Sequence, residues 1–199
     1  FKIEPGKTVA LVGPTGSGKT TITNLVAKFY PPTKGKILID GNDILYIKGD
    51  SLRKHLGIVL QVNFLFTGTV LENIMLGKIG STKEDAIDAV RKLDCLDVIE
   101  NLPDRFDTQV GENGVGLSLG QRQIICFSRA MLANPAILIL DEATSSIDPV
   151  TETKIQSALS KLLMKRTSIV VAHRLSTIKN ADIVLVMKNG NICEKGTHK

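Results

Sequence analysis

Gly13-Pro14-Thr15-Gly16-Ser17-Gly18-Lys19-Thr20 has the residue types and spacing of G-x-x-x-x-G-K-[ST], a phosphate-binding loop. The apolar run Val9-Ala10-Leu11-Val12 precedes it and reads as a buried strand. Residues 20–28 follow with helical spacing, Ile22, Leu25 and Val26 giving one apolar face. Strand, loop and helix in that order are the context that gives the motif meaning. Glycines let the backbone curl until its N–H groups converge on an anion. The helix N-terminus adds its partial positive charge at the same point. Lys19 is expected to reach the β- and γ-phosphates of a nucleotide. Thr20 is expected to give its hydroxyl to Mg2+, and Thr21 to join the nucleotide-binding set.

Asp141-Glu142 follows directly on the apolar run Ile137-Leu138-Ile139-Leu140. A carboxylate at the end of such a strand can hold magnesium, directly or through water. Glu142 can then activate water against the γ-phosphate as a general base. Gln61 ends another short apolar strand, where an amide could touch both the metal and the attacking water. His173 ends a third, residues 168–172, where an imidazole could donate to the γ-phosphate. A single glutamine is more often a surface residue and a single histidine more often structural. Their shared position at strand ends is what raises them.

These residues need a sheet to bring them to one edge. Continuous runs such as residues 137–140 and 168–172 are expected of parallel strands buried on both faces. Residues 1–3 alternate like a strand, with Pro5-Gly6 as the turn into residues 9–12. Residues 36–40 and 183–187 read as strands, and Asn189-Gly190 as a hairpin turn into Ile192-Cys193. Helices are predicted over residues 52–56, 118–131 and 150–164. Between Thr69 and Ala133 the period is helical: Val70, Ile74 and Met75, then Ala86, Ile87, Val90, Leu93 and Leu96. Ser81 and Glu84 have the spacing of a capping box. The alternation argues an α/β domain with a mostly parallel sheet, ligands gathering at the carboxyl ends of its strands.

The composition excludes several classes. With 199 residues there is room for one full core, or a core and a subdomain. No apolar run approaches the roughly 20 residues of a membrane helix. The net charge is +5, but the charges are dispersed without a Lys/Arg block, so no nucleic-acid partner is expected. Cys95, Cys126 and Cys193 are odd in number and lack metal spacing, which suggests reduced packing residues in a cytosolic setting.

Leu117-Ser118-Leu119-Gly120-Gln121 narrows the family. Here the chain resembles the nucleotide-binding (ATPase) domain of ATP-binding cassette (ABC) transporters, exporter type. The resemblance runs in order through Walker A (residues 13–20), the Q-loop (Gln61) and the signature (residues 117–121). It continues through Walker B with its glutamate (residues 137–142), the D-loop (Ser145-Ser146-Ile147-Asp148) and the switch histidine (His173). Leu119 stands where the usual signature has glycine. Ser118 still opens a helix, so its hydroxyl and the helix N-terminus can meet a phosphate, and Gly120 permits close approach.

The resemblance implies a P-loop NTPase (RecA-like) core, residues 1–68 and 134–199. An antiparallel β portion and a helical subdomain of about residues 69–133 complete it. It implies ATP and Mg2+ as ligands, with Thr20, Gln61 and Asp141 at the metal, and Ser118, Gly120 and Gln121 on the nucleotide. It implies a second nucleotide-binding domain as partner, paired head to tail. Residues 61–69 and 110–114 resemble the exporter Q-loop and X-loop, which face a transmembrane domain absent from this chain. That places the protein at the cytoplasmic face of the cell (inner) membrane. Two alternatives stay open: a soluble ABC ATPase of DNA repair or translation, and a regulatory module that binds nucleotide without turnover. Paired cassettes or a coiled-coil insert would mark the first, and neither is seen; Glu142 and His173 argue against the second.

The family stacks adenine on an aromatic residue upstream of the Walker A strand, a position that would precede Phe1; Tyr30 and Tyr46 do not match it. Stacking worth about 1–3 kcal/mol per base is then missing. The 199-residue chain is expected to bind ATP weakly and to separate it poorly from GTP. Strong preference for ATP in a competition titration would show that another residue reads adenine.

Overall fold

The structure is a computed structural model and describes residues 1–141, 148–172 and 174–198. In chain order it begins β1 (Thr8–Val12), α1 (Lys19–Val26), β2 (Leu38–Ile39), β3 (Asn42–Asp43), α2 (Gly49–His55) and β4 (Leu56–Val59). Then come β5 (Gly68–Thr69), α3 (Val70–Met75), α4 (Lys83–Lys92), α5 (Leu96–Glu100), β6 (Gln109–Val110) and α6 (Leu119–Ala133). The rest is β7 (Ile137–Asp141), α7 (Pro149–Leu163), β8 (Thr167–Val171), α8 (Leu175–Asn180), β9 (Ile183–Lys188) and β10 (Asn191–Gly196).

Two compact units result. The first comprises Phe1–Gly57, Pro135–Glu142 and Arg166–Lys199. The main sheet has the order β10-β9-β1-β8-β7-β4. β1 runs parallel to β8 and β9, and β7 parallel to β8; β10 turns back antiparallel to β9. Val9, Leu11, Ile169, Val171, Leu185 and Met187 form one buried cluster, and Ile22 and Val26 of α1 pack against it. The apolar face read from the sequence is therefore the face that docks α1. Asn189 and Gly190 both have positive φ, 50° and 78°, as a two-residue hairpin turn requires. Asp40 (48°) and Gly41 (80°) make the same turn between β2 and β3. That hairpin is shorter than the strand expected over residues 36–40.

Residues 1–3 are not a strand. Ile3 packs on the core cluster instead, and Lys7 N–H donates to the Glu4 carbonyl (3.1 Å) across the Pro5-Gly6 turn. α8 was not legible: Leu175-Ser176-Thr177-Ile178 lacks a full helical period.

The second unit comprises Ile58–Asn134 and Ala143–Lys165. It begins earlier than the expected helical segment, residues 69–133, and takes in α7, which the sequence pattern gives to the core. The cause is contact between helices. A Cβ on Gly120 of α6 would lie 2.4 Å from Thr151 Cγ2 of α7. Lys154 and Lys161 of α7 pair with Asp97 and Asp94. The capping box of α4 is also one residue later than expected: Thr82 caps it with Asp85, while Ser81 is buried below.

In the first unit Asp182 ties β1 to the start of β9. Its carboxylate accepts from Lys7 Nζ (2.8 Å) and from Thr8 N–H (2.8 Å). The Lys7 bond, then the Thr8 N–H, hold its pKa below the ordinary carboxylate value. A lowered folded pKa contributes stability above the ordinary carboxylate range, and that contribution is lost as pH falls through the lowered value. Asp182→Asn should cost less than about 1 kcal/mol at neutral pH, because the pair is largely exposed. The difference in Tm between the two proteins should shrink as pH falls below the ordinary carboxylate range and through the lowered value. A difference independent of pH would contradict this account.

Candidate functional site

The loop between β1 and α1 carries the phosphate-binding motif, in the first unit. Gly13, Gly16 and Gly18 have φ of 149°, 80° and 100°, where side chains are strained. Gly13 is the tightest: a Cβ there would lie 2.2 Å from the Met187 carbonyl oxygen of β9. Ser17 N–H donates to the Pro14 carbonyl (3.2 Å), and Gly190 N–H to the Ser17 carbonyl (3.0 Å). The β9–β10 turn thus braces the loop. Pro14, Thr15 and Gly16 are exposed at its tip, and Thr20 and Thr21 on the first turn of α1.

Lys19 is only 7% exposed. Its ammonium donates to the Gly13 (2.8 Å) and Pro14 (3.0 Å) carbonyls, which hold the charge against the loop. Ser17 is 2% exposed, and its hydroxyl oxygen has no hydrogen-bond partner among the described residues. A buried polar atom left so is costly. α1 has no acid in its first turn and no side-chain cap, so its N-terminal N–H groups and dipole face outward. Curled backbone, buried cation, orphan hydroxyl and open helix end all fit a chain of phosphates.

The sheet sets Asp141 at the same edge. Asp141 pairs with Val171 of β8, and Val171 with Leu11 of β1. Two strand spacings, roughly 10 Å, separate its Cα from β1. Among the described residues no group of three or more His, Cys, Asp and Glu could hold a metal. A hydroxyl, a carboxylate and a glutamine amide oxygen, from Thr20, Asp141 and Gln61, are nevertheless the hard donors that suit Mg2+. Glu142, the D-loop residues Ser145, Ser146 and Ile147, and His173 lie outside the described residues.

The signature lies in the second unit. Ser118 is the N-cap of α6. Gln121 N–H donates to Ser118 Oγ (3.2 Å), and Ser118 N–H donates to Gln121 Oε1 (2.8 Å). The serine and glutamine read as ligand groups are thus also a capping box. The Ser118 hydroxyl hydrogen and the Gln121 amide NH2 stay available. Gly120 is buried under Thr151, and its missing side chain also makes room for α7.

Gln61 is exposed in the same unit, beside exposed Leu60 and Val62. Phe64 (43% exposed) and Phe66 (53%) meet edge to face, their ring centres 4.8 Å apart, while Leu65 between them is fully buried. In the expected X-loop, Arg122 Nη1 donates to the Asn113 carbonyl (3.2 Å). Gly114 lies so close that a Cβ would meet Arg122 Cδ at 2.4 Å and Leu65 Cδ1 at 3.5 Å. Nothing in the spacing of Asn73, Arg122, Arg129 or Thr151 marked them; Arg129 with Asn73 and Thr151 with Gly120 meet across residues distant in sequence. Cys95 and Cys126 are buried, and burial pushes the Cys95 thiol to about 11. Both pack as expected, whereas Cys193 is exposed on β10 and does not.

The sequence pattern of ABC transporters matches residues 1–145. The chain belongs to the ABC transporter family. As a member it is an ATPase domain with the P-loop NTPase fold. An uncharacterized ABC transporter ATP-binding protein of Bacillus subtilis, YfiC, is 52% identical over 198 residues, which cover 100% of this cassette and 33% of that protein. A putative multidrug export ATP-binding/permease protein of Staphylococcus aureus is 51% identical over 199 residues, 100% of this chain and 34% of its own. Among solved structures, a bacterial Atm1-family ABC exporter with ATP bound superposes with a TM-score of 0.91 at 43% identity, covering 100% of this chain and 35% of that one. The cassette spans about a third of the length of the relatives it matches. Among the described residues no helix is long and apolar enough to cross a membrane.

The Gly120 contact is open to a double substitution. Gly120→Ala should destabilise the cassette by about 1–3 kcal/mol through overpacking. Adding Thr151→Ser removes the opposing methyl and should restore most of the lost Tm. Thermal unfolding in which the double variant is no better than Gly120→Ala would refute the packing role.

Proposed function

We propose that this chain is the ATP-hydrolysing motor of an ABC exporter, working as a head-to-tail pair on the cytoplasmic face of a membrane. The observation that carries the reading is the braced phosphate loop, with its buried Lys19 and partnerless Ser17 hydroxyl. It is supported by the motifs that follow in family order, and by relatives named as export ATP-binding/permease proteins.

In this reading residues 13–20 bind the phosphates of ATP through the loop's curled backbone and side chains, with Thr21 in the same set. Lys19 leaves its carbonyl partners for the β- and γ-phosphates. Thr20, Asp141 and Gln61 hold Mg2+, which when bound neutralises charge on the β- and γ-phosphate oxygens. Glu142 takes the proton of the attacking water, and His173 donates to the γ-phosphate. Ser118, Gly120 and Gln121 of the partner cassette close the site from the other side. Donors on both sides of the developing charge stabilise the transition state, so turnover needs the pair. Phe64 and Phe66, with the X-loop around Asn113 and Gly114, face the transmembrane domain. Two exposed rings at one spot suit such a protein contact.

Glu142→Gln keeps shape and phosphate contacts but removes the proton acceptor. Phosphate release should fall by about 10²–10⁴, with ATP binding retained. Wild-type-like phosphate release would overturn the assignment of the base.

A further inference from the structure

One buried polar cluster in the second unit touches none of the residues assigned to ATP. Asn73 of α3 is 1% exposed. Its Oδ1 accepts from Phe66 N–H (2.9 Å), and its Nδ2 donates to the carbonyls of Phe66 (2.8 Å) and Thr69 (3.0 Å). Arg129, on α6, completes the cluster. Its Nη2 donates to Asn73 Oδ1 (3.0 Å), its Nε to the Asn73 carbonyl (2.8 Å), and its Nη1 to the Phe64 carbonyl (3.2 Å). The guanidinium carbon lies 6.0 Å from the centre of the Phe66 ring. Four hydrogen bonds thus fasten the backbone of Phe64, Phe66 and Thr69 to two side chains, and two more join Arg129 to Asn73.

The arrangement exceeds what a loop needs for closure. α3 is already capped at Thr69 by its own box with Glu72. Leu65 already anchors the segment by burial. Partial burial of the guanidinium costs desolvation and lowers its pKa. What the added bonds secure is orientation: they fix the exposed rings on either side of Leu65 to α6. That helix opens at Ser118, so one rigid rod carries the capped signature at its first turn and the aromatic pair near its last.

We propose that Arg129 and Asn73 are positioning residues that lock the Phe64/Phe66 pair to the signature helix, so that force on the rings displaces Ser118. Neither residue touches nucleotide. They act through the Phe64 and Phe66 backbone, and through α6 as the lever. A rigid element biased at both ends is what coupling between two sites requires. The inference rests on the reading of Phe64 and Phe66 as the face toward the membrane domain.

The test measures ATP turnover twice, in the assembled transporter and in the 199-residue chain alone. In the transporter Arg129→Ala should lower kcat about tenfold while KM for ATP stays within about twofold. Arg129→Lys keeps a cation able to reach one of the carbonyls and should recover part of kcat. In the chain alone both variants should match the wild type in ATP affinity and turnover. An unchanged kcat in the transporter would overturn the proposal. So would a loss of the same size in the chain alone, or an equal rise in KM, since either would make Arg129 a plain fold residue. Phe64→Ala and Phe66→Ala separate the two readings. If they lower kcat and Arg129→Ala does not, the lock fails and the docking face stands. If they too change nothing, the docking face fails.

Discussion

Gly13 has no room for a side chain, and much of the first unit follows from that. The Met187 carbonyl oxygen sits where a Cβ would go. β9 therefore presses directly on the backbone that must curl around an anion. The β9–β10 turn adds the Gly190-to-Ser17 bond, and Lys19 closes the curl by holding the Gly13 and Pro14 carbonyls. Parallel pairing of β1 with both β8 and β9 brings these strand ends together. The hydrophobic cluster under the sheet keeps them level. These contacts hold the loop in the curled shape that phosphate binding requires.

The second unit obeys a different constraint, the satisfaction of helix ends and buried polar groups. Ser118 and Gln121 satisfy the start of α6 between themselves. Asp148, the last D-loop residue, caps α7 through Thr151 N–H, and that bond lowers its pKa. Gly120 lets α6 and α7 approach closely, so the signature is tied to the helix that follows the D-loop. Residues that look like ligand groups in sequence are here also structural. A cap leaves the serine hydroxyl one hydrogen to give, so both roles fit on one side chain.

Most of the first unit was legible because local rules and global fold agree. The runs at residues 9–12, 137–140 and 168–172 are short, apolar and bounded by turn residues, and each became a strand of the parallel sheet. Asn189-Gly190 needed positive φ twice, and has it. The P-loop was readable for the same reason, since its glycines are demanded by backbone shape. Contacts between distant residues were not legible. Gly120 against Thr151, Asn73 with Arg129, and the transfer of α7 to the helical unit all depend on which helices meet. Residues 1–3 alternate like a strand, but Ile3 packs on the core cluster and the segment pairs with no strand among the described residues. Ser81 and Thr82 both match a capping pattern; Ser81 is buried and Thr82 takes the cap.

The central claim is that one ATP lies between the phosphate loop of one chain and the signature of another. The direct measurement is ATPase activity in a mixture of two inactive variants. Lys19→Ala removes the phosphate cation. Ser118→Asp keeps a good helix cap while setting a negative charge against phosphate. In a mixed pair both defects fall on the same composite site, leaving the other intact. Random pairing of equal amounts should then leave roughly a quarter of the sites whole, with activity rising as total protein rises. A mixture no more active than its separate components, with wild-type specific activity independent of concentration, would mean that each site is built within a single chain.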